Sequence, residues 1–132
     1  MSLIHTITTN WTNDGNGRTI RASVTRTNNA EDSLDLTVPG PSNPLHIVWA
    51  LKLAQLKSLY MLSDLDLTIK TNSNSAPDAT VALKAGVPLA WDSVAAYFSN
   101  PFGSVNITDL YITLAGSTAA NLHIEVLKDS TA

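Results

Sequence analysis

A chain of 132 residues is long enough to build a hydrophobic core unaided, and one domain over residues 1–132 is expected. With 44% apolar residues, only 14% charged and a net charge of −3, the composition excludes a disordered chain and gives no support to a basic nucleic-acid binder. The absence of cysteine excludes disulfides and thiolate metal sites, and fits synthesis in a cytoplasm. Ser, Thr and Asn supply the polarity instead, which suits pleated surfaces and turns.

Leu3 to Trp11 reads as a strand rich in Thr and Ile, ended by the turn formers Thr12 to Gly17. From Thr19 to Thr27, Ile20, Ala22 and Val24 alternate with Thr19, Arg21, Ser23 and Thr25. That period of two predicts one buried and one wet face. After a turn at Asn28–Asp32, Leu34, Leu36 and Val38 alternate again, and the two segments read as a hairpin. Three prolines between Pro39 and Pro44 stop that strand.

Leu45 to Leu53 fits a strand, Ala54–Lys57 a turn and Ser58–Leu62 a second strand, although Trp49, Leu53 and Leu56 can also be laid on a helix. Leu65, Leu67 and Ile69 open the next alternating run; Asn72–Asp78 is a loop, and Val81, Leu83 and Ala85 follow. Leu89–Trp91 is short, and Asp92 or Ser93 is placed to cap one helical turn over Val94–Phe98. Leu110, Ile112 and Leu114, then Leu122, Ile124 and Val126, complete the pattern, with a frayed tail from Lys128.

Eight to ten short strands separated by regular turn signals predict an all-β fold, an antiparallel β-sandwich or jelly roll. The expected core holds Ile20, Val24, Leu36, Leu67, Ile69, Val81, Leu83, Ile112, Leu114, Leu122, Ile124 and Val126. The loops Thr12–Gly17, Asn28–Asp32 and Asn72–Asp78 should be exposed and tolerant of insertion.

Catalytic chemistry finds no foothold. His5, His46 and His123 each stand apart on an expected strand, without metal-ligand spacing. No GxSxG, phosphate loop or calcium loop is complete. Asp64 and Asp66 read as a turn residue and a solvent-facing strand residue. Arg18, Arg21 and Arg26 form the one basic cluster, but Arg21 and Arg26 differ in parity and point to opposite strand faces. No cofactor, metal, nucleic acid or membrane is therefore expected as a partner. Neither a secretory signal nor a bilayer-length apolar run is visible.

From Leu59–Ser73, through Pro77–Trp91, to Leu110–Thr113 and Ala119–Leu127, the chain resembles small virion proteins of tailed bacteriophages. The likeness covers a little over half the chain and lies in style and order rather than in one motif. It implies a capsid decoration (cement) protein, often a jelly-roll trimer bound to a major capsid protein, and hence location in the virion. The alternative is a tail, baseplate or receptor-binding sandwich that recognises carbohydrate.

Low charge leaves wide surfaces cheap to desolvate, so a homo-oligomer is expected. The candidate interface residues are Leu3 and Ile4 on the terminal strand and Tyr97, Phe98, Pro101 and Phe102 in one aromatic loop. The competing reading is that Phe98 and Phe102 plug one end of the sandwich.

Overall fold

The computed structural model describes residues 2–13, 15, 17–41, 44–95 and 97–132. Ten strands lie among them: β1 (Leu3–Asn13), β2 (Arg18–Asn28), β3 (Ala30–Val38), β4 (Leu45–Leu51), β5 (Leu56–Ser63), β6 (Leu67–Thr71), β7 (Thr80–Leu83), β8 (Leu89–Asp92), β9 (Ile107–Thr113) and β10 (Ala120–Lys128). The helical alternative for the segment after Leu45 reduces to one 3-10 turn at Leu53–Gln55.

Eight of the strands form two four-stranded sheets, in the orders β3-β10-β5-β8 and β4-β9-β6-β7, with antiparallel pairing throughout. Two packed sheets whose strands pair this way make the β-sandwich expected from the sequence, in jelly-roll order. Alternation decides what is buried. Leu122, Ile124 and Val126 of β10 face the core, while Asn121, His123 and Glu125 face out. In the facing sheet Ile112 sits between Leu45 and Ile69, and all these rows close one core with Leu59, Met61, Val81, Leu83 and Leu110. Each such side chain contributes about 1.5–3 kcal/mol relative to an exposed one.

Phe102 is fully buried and meets Trp49 edge to face, with centroids 6.3 Å apart. The Asn100 side-chain oxygen accepts the Phe102 N–H at 3.0 Å and the Asn100 carbonyl accepts the Gly103 N–H at 2.9 Å. Gly103 takes φ 76°, a conformation that glycine adopts without penalty. This tight turn aims the ring inward.

Several expectations need correction. Arg18–Asn28 pairs with β1, not with β3, and β3 pairs with β10. Ile20 is consequently 51% exposed and Val24 only half-buried, because no sheet covers the β2 face that the alternation marks as apolar. The expected turn at Asn28–Asp32 shrinks to a bend at Asn29, and Ala30–Asp32 pair with Val126–Lys128. The described residues of Ser93–Phe98 are bends rather than a helical turn, although Asp92 does accept the Val94 and Ala95 N–H groups. The tail is tied, not frayed: Asp129 N–H donates to Gln55 O at 2.8 Å and Ser130 N–H to Asn29 Oδ1 at 2.9 Å.

Candidate interaction surface

β1 and β2 form a two-stranded arm in one unbroken register, from Leu3 opposite Asn28 to Asn13 opposite Arg18. Opposed residues of an antiparallel pair share a face, and faces alternate along each strand. One face carries the polar rungs Thr6–Thr25 (3.2 Å), Thr8–Ser23 (3.0 Å) and Asn10–Arg21 (2.8 Å). The other carries Leu3, His5, Ile7, Val24 and Arg26, then Thr9, Ala22, Trp11 and Ile20. Asp14 and Asn16 of the expected turn lie outside the described residues; Gly17, at φ 70°, is within them.

The base of the arm is seated on the body. His5 Nε2 donates to Glu31 Oε2 at 3.0 Å. Ile4 to Thr8 line a groove with Ser58, Tyr60 and Glu125. Arg26 donates Nε to Asp92 Oδ2 at 2.9 Å and Nη2 to Oδ1 at 2.5 Å. Burial pushes the Asp92 carboxyl up, but the bonds from Arg26, Val94 and Ala95 together hold it below its ordinary range. Arg26 is held further up by the same carboxylate.

Past Thr8 and Ser23 the described residues on both faces of the arm are exposed. Trp11 is 54% and Ile20 51% exposed, directly opposite each other. The same apolar stripe that is half-buried at Ile7 and Val24 thus runs on, uncovered, beyond the body.

The outer face of the β3-β10-β5-β8 sheet bears a row of polar pairs. His123 donates through Nδ1 to Asp35 (2.5 Å) and through Nε2 to Glu125 (2.9 Å), and Ser33 also donates to Glu125 (2.9 Å). The Asp35 bond raises the His123 pKa; burial works against it and Glu125 adds to it. Beside this row lies an open groove of about 600 Å³, bounded by Asp35, Thr37, Leu62, Asp64, Gly86 and Asn121 among others.

The six interface candidates separate. Leu3 is half-buried and Ile4 is 65% exposed. Tyr97 is fully exposed and Phe98 half exposed, its carbonyl accepting the Trp91 indole N–H at 3.1 Å. Pro101 is half-buried. Phe102 belongs to the core, so it is unavailable to a partner. Sequence reading missed the histidine partners: His46 also has one, Asp109, at 2.8 Å, and stacks on Tyr111 at 4.5 Å. Hydrogen bonds from Thr108 and then His46 hold Asp109 below the usual carboxylate range. Asp64 accepts from Asn121 backbone and side chain, and Asp66 from Ala85 N–H, as surface aspartates at strand ends do.

Among the described residues no group of three His, Cys, Asp or Glu is placed to hold a metal ion, and no helix is long and apolar enough to cross a membrane. In comparisons with known proteins no family model matches the chain, and no curated protein or solved structure matches it significantly.

Proposed function

We propose that the chain is a non-enzymatic structural protein of a virion: a homo-oligomer, expected as a trimer, that decorates the head of a tailed bacteriophage by binding its major capsid protein. The observation that carries this reading is the arm, whose outer half is solvent-exposed at its described residues and presents Trp11 and Ile20 on one face. A two-stranded ribbon is marginal in water by itself. Uncovered apolar side chains gathered on one face mark contact with other proteins. Val87, Val94 and Tyr97 are further large apolar side chains exposed on the body. The low charge fraction and the resemblance to phage virion proteins support the same reading. Against catalysis, the histidines and their carboxylates satisfy one another on strand surfaces, and the neighbouring hydroxyls of Ser33 and Thr108 donate to those carboxylates rather than to a histidine.

The test is quantitative mass spectrometry of particles purified by density gradient from the source of the sequence. Many copies per particle, at a fixed ratio to the main shell protein, are expected. Absence from particles, together with glycan binding by the isolated monomer, would replace this reading with a carbohydrate-recognition module.

A further inference from the structure

We infer that the outer half of the arm docks on a second copy of this chain, laying Trp11 and Ile20 into the groove bounded by Asp35, Thr37, Leu62, Asp64 and Asn121. This rests on the assembly reading above and names the partner and its receiving surface.

Continuity is the first argument. Along one face of the arm, Leu3, Ile7 and Val24 are half-buried, and His5 and Arg26 on the same face bond to Glu31 and Asp92 of the body. That face therefore already fits the outer surface of the β3-β10-β5-β8 sheet. Its uncovered continuation, Thr9, Ala22, Trp11 and Ile20, has the same chemistry: small and apolar groups bordered by arginine. The surface matching that chemistry is more of the same sheet.

The receiving groove is the second argument. It lies on that sheet, beyond the part that the arm's base occupies, and no residue of β1 or β2 lines it. Its volume of about 600 Å³ falls within the ~300–1,000 Å³ range of pockets that take in drug-sized groups. Leu62 gives it apolar footing, and Asp35 and Asp64 stand at its margin.

Charge is the third. With Arg26 committed to Asp92 of its own body, the arm's outer part carries Arg18 and Arg21 against Asp14, whereas residues 29–132 hold five lysines against ten carboxylates. An arm of one copy is thus drawn to the body of another, which sets encounter and register. Arm and groove are different surfaces, so the contact is head-to-tail. Where the rotation it imposes closes, repetition makes a ring in which each copy gives one arm and receives one.

The chain has no cysteine, which makes cross-linking free of background. One preparation carries Thr9→Cys, next to Trp11 on the docking face; the other carries Thr37→Cys at the groove margin. Mixing and oxidising them should give a disulfide-linked dimer. Adding Trp11→Ser and Ile20→Ser to the Thr9→Cys chain should cut its yield at least tenfold. Leu62→Asp should do the same when carried by the Thr37→Cys chain, but not when carried by the Thr9→Cys chain, a sidedness that a general folding defect would not produce. No cross-chain disulfide at high protein concentration, or a disulfide indifferent to these substitutions, overturns the inference. A chain abundant on particles that fails this test loses only the arm contact; a cross-linked oligomer absent from particles loses only the virion assignment.

Discussion

Arg26 of the arm and Asp92 of the body form a two-pronged ion pair, with Asp92 only 4% exposed. It is the joint between ribbon and jelly roll, and Asp92 also receives two backbone N–H groups. Arg26→Ala removes both charge-assisted bonds to a buried carboxylate and should cost about 1.5–3 kcal/mol. Arg26→Lys keeps the charge but loses the fork and should fall between. Urea unfolding of the three proteins measures this; equal midpoints would show that the joint contributes nothing. The Asp92 pKa is lowered on folding, so its contribution is present above the ordinary value of 3.8 and fades as pH falls through the folded value. Acid should therefore loosen the arm.

His123 gives a dependence of opposite sign. Its pKa is raised above 6.5, first by the bond to Asp35. Both ring nitrogens donate at once in the protonated form only. The stabilisation it contributes is complete below pH 6.5 and is lost as pH rises through the higher folded value. Stability measured by urea from pH 5 to 9 should fall across that window in the parent and be flatter in His123→Gln. An NMR titration placing His123 at or below 6.5 would contradict this.

How far the sequence could be read is clear from pairs of residues with the same local pattern. Ile112 and Ile20 both sit in alternating runs, yet Ile112 is fully buried and Ile20 half exposed. Period two says that a strand has a preferred face; which sheet covers that face depends on pairing with distant strands. For β9 two neighbours and a facing sheet do so, whereas the outer half of β2 has β1 as its one paired strand among the described residues. The histidine contacts with Glu31, Asp109 and Asp35 were hidden for the same reason, since these partners lie 26, 63 and 88 residues away; Glu125, two residues from His123 on the same strand face, was within reach of the alternation. Turn chemistry was more legible: the Pro39–Pro44 break does separate β3 in one sheet from β4 in the other.

Tyr97 and Phe102 occupy one loop but face opposite ways, so their substitutions should separate cleanly. Phe102→Ala empties a packed position against Trp49 and should cost about 3–5 kcal/mol. Tyr97→Ser should change stability by less than about 0.5 kcal/mol, because the ring touches solvent. Calorimetric midpoints check both. If Tyr97→Ser destabilised the chain as much as Phe102→Ala did, the assignment of one ring to the core and one to the surface would be wrong.

Gly40 lies where the segment after β3 passes the loop between β9 and β10. A β-carbon there would stand 2.5 Å from the Gly116 carbonyl oxygen and 2.7 Å from that of Thr118. Both obstacles are backbone, so no rotamer change relieves the contact, and one of the two segments must move. Val38, the last residue of β3, is fully buried and pairs with Ala120 at the start of β10, so the movement would pull on the first rung of that ladder. Gly40→Ala should therefore cost about 1–3 kcal/mol, in the manner of an overpacked core. Gly116→Ala, whose β-carbon meets nothing within 4 Å, is the matched control and should be close to neutral. Hydrogen exchange adds a local readout: the Ala120 and Val38 amides should lose protection in Gly40→Ala, while those of the β6–β7 pair keep it. Parent-like stability and exchange in Gly40→Ala would mean that the two segments do not approach as closely as described.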